Sequence, residues 1–182
     1  MTKEELLKKL SVAFTKKRAI ELAELAGKNS SGVDLLIDLS FHPELTYAFR
    51  AAWILENVFE IYPEELEKHA MRIIDLYPKQ NNPSCQRHYT KIMMNLTSKQ
   101  AFLDILPADQ IEQVIEASFD WLTRAACPVA VQVNCMDVLY NLKGFDSWVA
   151  EELEAEIRFL MRNGTAALQS RGNKLLKKLK AK

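Results

Sequence analysis

An all-α fold, an α-α superhelix of about five stacked antiparallel helix pairs, is predicted by three observations on this 182-residue sequence. First, apolar or small residues recur at positions i, i+4, i+7, i+8 and i+11 in five places: Thr15/Ala19/Leu22/Ala23/Ala26, Tyr47/Ala51/Ile54/Leu55/Val58, Cys85/Tyr89/Ile92/Met93/Leu96, Val131/Cys135/Val138/Leu139/Leu142 and Leu168/Gly172/Leu175/Leu176/Leu179. That spacing lays its members along one side of a 3.6-residue helix. Second, the first members of the five sets lie 32, 38, 46 and 37 residues apart, close to the period of helical repeats. One amphipathic stripe needs a single partner surface, whereas the same stripe at this interval needs neighbours stacked one on the next. Third, no stretch alternates apolar and polar residues between turn signals with β-branched enrichment, so strands are not expected.

In chain order, helices are expected near 2–11, 15–27, 31–40, 44–61, 63–77, 83–97, 107–125, 128–142, 146–163 and 165–180, as one domain over 1–182. Thr2 and Glu5 fit a capping box, in which hydroxyl and carboxylate reciprocally satisfy orphan N–H groups of the first turn. Pro43, Pro63, Pro83, Pro107 and Pro128 each precede an apolar-periodic run, where a missing N–H costs no intrahelical bond. Gly27, Gly144 and Gly164 sit at the opposite ends, as helix-stopping residues do. The second member of each pair carries the repeated spacing. First members also have an inward face: Leu66/Ala70/Ile73/Ile74/Tyr77, Ile111/Ile115/Phe119/Leu122 and Val149/Leu153/Ile157/Leu160. The polar run Lys79-Gln80-Asn81-Asn82 joins the helices of the third pair.

Composition is that of an ordinary water-soluble domain, 48% apolar and 26% charged with formal net charge zero. No apolar run approaches the ~20 residues that span a bilayer. The first ten residues mix acids and bases, unlike a targeting segment, so a cytoplasmic protein is expected. Cys85 and Cys135 fall on the repeated apolar spacing and read as buried thiols; with Cys127, three cysteines cannot all pair in a monomer. Cys85 and His88 point to different sides of their helix, and no second Cys/His pair completes a metal set, so no metal or cofactor is expected.

The segment Phe49-Arg50-Ala51-Ala52-Trp53-Ile54-Leu55 resembles the second helix of a HEAT repeat, with its apolar residue, arginine, small residues and leucine. With the pairing, this makes nearly the whole chain similar to the HEAT and armadillo class of short bacterial type. That resemblance implies first helices on a convex side and second helices on a concave side. The aspartate that usually precedes a second helix is mostly missing, so an Asp–Arg ladder is not implied.

Reading the second helices in register gives the side chains opposite the core. Position i+3 holds Arg18, Arg50, His88, Asn134 and Arg171; i+6 holds Glu21, Trp53, Lys91, Asp137 and Lys174; i+10 holds Leu25, Asn57, Asn95, Asn141 and Lys178. Stacked helices would align them in a polar furrow. Arg50, Trp53, His88, Lys91, Asp137, Arg171 and Lys174 are the candidate binding residues. Trp53 fits either an interface anchor or packing between repeats. Asn57, Asn95 and Asn141 fit an inter-helix hydrogen-bond ladder. His42 in a turn, His69 on a first helix and His88 in the furrow read as neutral surface histidines, since spacing places no carboxylate to orient them.

Charge is segregated behind the net zero. Residues 79–100 and 163–182 contain bases and no acids, while 63–77, 107–125 and 146–162 are net acidic, which makes the second-helix side the more positive one. No phosphate-binding glycine loop, HExxH or GxSxG is present. A non-catalytic protein- or peptide-binding scaffold, with an acidic partner in a mildly basic furrow, is therefore the primary expectation. The alternative is nucleic-acid binding. HEAT-like alkylpurine DNA glycosylases resemble this chain in fold and use an aspartate and an arginine on neighbouring concave helices, which implies Asp137 and Arg171 as the matching pair. An adenylosuccinate lyase reading has no motif behind it: that family is far longer, and Met94-Asn95-Leu96-Thr97-Ser98-Lys99 is the end of a core helix rather than its Ser-Ser-x-Met-Pro-x-Lys-x-Asn signature.

Overall fold

Each expected helix forms within two residues of its sequence bounds in the computed structural model, which describes residues 2–181; Met1 and Lys182 lie outside the described residues. In chain order these are α1 (Lys3–Leu10), α2 (Lys16–Ala26), α3 (Ser30–Leu39), α4 (Leu45–Ile61), α5 (Pro63–Leu76), α6 (Pro83–Thr97), α7 (Gln100–Leu103), α8 (Ala108–Thr123), α9 (Val129–Leu142), α10 (Ser147–Met161) and α11 (Ala166–Lys180). There is no strand among the described residues. Two pieces were not expected, α7 and a 3₁₀ turn at Tyr77–Lys79. α7 buries no residue, so it has no apolar stripe to betray it.

Local chemistry explains the starts. The capping box forms: the Thr2 N–H donates to Glu5 Oε2 (2.8 Å) and the Glu5 N–H to Thr2 Oγ1 (3.2 Å). Thr15 accepts from the Arg18 N–H, Asn29 from Gly32 and Thr165 from Leu168. Pro63 begins α5 and Pro83 begins α6, while Pro107 and Pro128 occupy the residue before α8 and α9. Gly27 caps the end of α2, and Gly144 and Gly164 follow α9 and α10, as expected. No glycine has a positive φ among the described residues; Gly27 instead lies under the Tyr62 ring, where an added Cβ would come within 2.3 Å of a ring carbon.

The chain divides into two compact units, Met1–Ile92 and Met93–Lys182, with the division inside α6. In the first, α2 packs along α4, α3 pairs with α4, α1 lies against α4, and α5 meets α3 and α4. Ala19, Ala23 and Ala26 of α2 and Ala48, Ala51 and Ala52 of α4 are buried, so the backbones approach over small side chains. Larger residues, Leu22, Leu36, Ile54, Leu55, Ile73 and Tyr89, fill the remainder. The polar run after α5 is anchored rather than loose. Gln80 is buried, its amide donates to the Ser40 carbonyl (3.2 Å), and its own carbonyl accepts from Gln86 (2.8 Å). Ser40 Oγ and the Tyr89 hydroxyl share a buried hydrogen bond of 2.7 Å, and burial holds the Tyr89 phenol well above its usual range.

In the second unit, α8 pairs with α9 and α10 with α11, and α9 also packs on α10 and α11. Val131, Cys135, Val138, Leu139, Val149, Leu153, Ile157 and Leu175 are buried. Thr15, a cap, is exposed, and Leu176 and Leu179 at the end of the last set are half-buried. Cys85 and Cys135 are buried, as their places in the spacing require, and neither is in a disulfide. Burial pushes the Cys85 thiol up to about 12 and the half-buried Cys127 up to about 11. Gly172 is small because α10 crosses there: a Cβ would meet Met161 Sδ at 2.6 Å and Ile157 Cγ2 at 3.0 Å.

Two glycines therefore respond oppositely to an added side chain. Gly172→Val overpacks the α10–α11 contact and is expected to cost about 1–3 kcal/mol, several degrees of Tm. Gly144→Ala, with nothing within 4 Å of the new Cβ and an ordinary backbone, should stabilise by about 0.4–1 kcal/mol through the unfolded chain. Thermal melts followed by circular dichroism separate the two.

Candidate binding surfaces

In the first unit, four of the sequence candidates lie on α4 and α6, and the fold already engages each of them. Arg50 reaches α1: its guanidinium donates to the carbonyls of Leu10 and Val12, the latter at 2.9 Å, and sits 5.2 Å from the Phe14 ring centroid. The carbonyls left open at the end of a helix need donors, and Arg50 supplies one. Trp53, half-buried, packs against Phe14 and Phe49, with centroids 5.7 and 5.8 Å away, and stacks on the His88 ring at 6.3 Å.

His88 corrects its expectation. It is 5% exposed rather than a surface residue, and Glu56 Oε2 lies 2.5 Å from its Nδ1. The other Glu56 oxygen accepts from Lys91, whose ammonium also meets Glu60 at 2.8 Å. Burial by itself would raise the Glu56 carboxyl, but the hydrogen bonds and charges of His88 and Lys91 outweigh it and hold the group below its ordinary value of 4.5. His88 Nε2 is buried with no hydrogen-bond partner. His69 is likewise 7% exposed, its Nδ1 within 2.8 Å of the Glu65 carbonyl, whereas His42 does sit in its turn and accepts from the Glu44 N–H.

Glu56 was not visible as a site residue in the sequence. Its partners come from the next repeat, so no spacing within a helix points to it; the available signal was its place at i+9 of the α4 set, one step from the aligned polar positions. The asparagine ladder is partial. Asn57 donates to the Trp53 carbonyl of its own helix (2.7 Å), Asn95 is exposed, and Asn141 reaches from α9 to the Met94 carbonyl and Thr97 hydroxyl of α6 at 3.3 and 3.1 Å.

In the second unit, Asp137 of α9 meets Arg171 of α11, with 3.2 Å between Oδ1 and the guanidinium. Asp137 Oδ2 is buried without a hydrogen-bond partner. Burial raises the Asp137 carboxyl above its usual range, against the pull of Arg171, Lys178 and Lys174. Lys174 is exposed beside the pair. Tyr140, one turn along α9 from Asp137, has the Lys143 ammonium 4.3 Å and the Lys178 ammonium 5.2 Å from its ring centroid. Tyr140 and Lys143 were not among the candidates; Tyr140 shares with Glu56 the i+9 place in its set. No group of His, Cys, Asp and Glu suited to a metal ion occurs among the described residues, and none of their helices is long and apolar enough to cross a membrane.

Comparison with known proteins bears on the fold. The HEAT repeat domain family model matches residues 6–179. The crystal structure of an engineered protein from the Northeast Structural Genomics Consortium is similar with a TM-score of 0.51 at 16% identity, over 100% of both chains. A second engineered protein from the same consortium gives 0.46 at 16% identity, over 100% of this chain and 98% of that one. At this identity the first likeness concerns architecture alone. No curated protein matches the chain.

Two outcomes follow from the first unit. Arg50→Ala, which strips donors from the end of α1, should cost about 1–3 kcal/mol in denaturant unfolding. Because the Glu56 value is depressed in the fold, its stabilisation is complete above 4.5 and is lost as pH falls through the lower folded value. Glu56→Gln should therefore flatten the fall of stability with pH below that point, measured by urea titrations between pH 3 and 7.

Proposed function

The chain belongs to the HEAT repeat domain family, and from that premise we propose that it is a non-catalytic scaffold that binds a protein or peptide through an acidic segment. The observation that carries this reading is the contrast between the two units' basic residues. Arg50 and Lys91 are held by carbonyls and carboxylates of their own fold. On α9 and α11, a single carboxylate, Asp137, stands among Arg171, Lys174 and Lys178, with Lys143 one turn beyond. A surplus of positive charge on a rigid helix pair raises the local concentration of anionic partners and orients their approach. Lys174 and Arg171 thus remain candidate contacts, with Asp137 fixing the guanidinium, whereas Arg50, Trp53, His88 and Lys91 act first on the packing of the first unit.

Nucleic-acid binding with repair chemistry is the second reading, and the Asp137–Arg171 pair with Tyr140 nearby is what favours it, by analogy with the glycosylases. The two readings separate in one experiment. Anisotropy titrations with a fluorescein-labelled decaglutamate and a labelled DNA duplex, at 50 and 200 mM salt, should show binding of the peptide and little of the duplex. A duplex affinity that exceeds the peptide's and falls steeply with salt, as several phosphate contacts demand, replaces the scaffold reading with the second one. Binding of neither probe at the lower salt removes the acidic-partner reading.

A further inference from the structure

Resting on the scaffold reading, we infer that the acidic segment docks on an aromatic platform formed by Tyr140 of α9 with Lys143, which follows that helix, and Lys178 of α11, and that its partner is a short acidic peptide rather than a phosphodiester chain. Two ammoniums from different helices converge on one ring, at 4.3 and 5.2 Å from its centroid. The ring face attracts cations electrostatically and limits the wandering of both side chains. A free lysine carries about 2 kcal/mol of rotamer entropy, so lysines already confined over a ring lose less when they meet a carboxylate.

Helix dipoles explain why lysines occur here, since Lys143 follows α9 and Lys178 lies in the last turn of α11. They do not explain convergence on Tyr140, nor Arg171 and Lys174 farther back along α11. Asp137 adds order: its single bond to the guanidinium fixes Arg171 at the edge of the patch. Residues 163–182 contain no acid, so nothing on α11 opposes the field of these cations.

The neighbouring helix is net acidic and adds little positive charge to the patch. α10 packs on both α9 and α11 and carries Glu151, Glu152, Glu154 and Glu156. Burial and the repulsion of Glu152 already hold the Glu156 carboxyl above its usual range. A duplex presents one charge per ~1.7 Å of its length, far more anions than this patch has cations to answer. A flexible acidic peptide can match a few of its carboxylates to these cations and leave the rest in solvent.

The test is anisotropy with labelled decaglutamate on full-length variants, each checked for an unchanged helical melt. Lys143→Glu with Lys178→Glu should weaken binding about tenfold or more, whereas the charge-matched control Lys16→Glu with Lys17→Glu, on exposed positions of α2, should change it less than about twofold. Tyr140→Leu, which keeps every charge, should weaken binding about threefold or more, and Tyr140→Phe should bind as the parent does. Equal losses in the platform and control pairs would reduce the effect to net charge and overturn the inference. Unchanged binding in the platform pair would overturn it too, leaving the scaffold reading intact because the parent still binds. A parent that prefers the duplex overturns both.

Discussion

Packing of one second helix on the next, α2 on α4 and α9 on α11, is the constraint from which the other features of each unit derive. An amphipathic helix of this length is marginal alone, and its stripe is stabilised only by a surface of matching shape. Alanines on both sides of the α2–α4 contact let the axes approach, and Gly172 does the same where α10 meets α11. Shared small residues at these positions make the spacing repeat. A large residue at any one of them forces a displacement that its neighbours in the stack must absorb.

That close approach also decides the fate of the polar face. Some side chains at i+3, i+6 and i+9 of adjacent second helices come within hydrogen-bond reach, so part of the charge meets across repeats rather than standing in water. Glu56 thereby takes both His88 and Lys91, and Asp137 takes Arg171. Each pair exchanges hydration for a bond inside partly buried surroundings, which leaves a near-balance in stability. The depressed Glu56 value and the raised Asp137 value show the two outcomes of this balance. Two hydrogen-bonding partners, His88 and Lys91, against one carboxylate overcome burial at Glu56, while Asp137, with a single bond and one orphaned oxygen, does not overcome it.

The fold was legible in the sequence because burial is periodic and periodicity survives in one dimension. Cys85, Cys135, Ile54 and Leu139 all lie where their phase placed them. α7 was invisible since it buries nothing, and the closeness of the Tyr62 ring to Gly27 was hidden because it joins residues 35 positions apart. The site was legible only in part. Register put Asp137 and Arg171 on adjacent helices, and they do touch, but the burial of His88 depends on Glu56, Phe49 and Trp53 closing around it. Those are contacts between residues more than thirty positions apart, which spacing within one helix does not encode.

A scaffold of this kind separates stability from recognition by where it leaves charge unmatched. In the first unit the polar register is consumed by the fold: Arg50 closes α1, and Lys91 joins two glutamates. Recruiting either for a ligand would first break an internal bond, and the affinity would fall by that amount. On α11, Lys174 and Lys178 stand outside such bonds while Arg171 is aimed by Asp137 and the platform lysines by Tyr140. Asp137 neutralises only part of the positive charge there. Ordered and only partly neutralised charge is a state in which a further anionic contact gains much, since the entropic cost is reduced in advance and part of the Coulomb attraction is still unanswered.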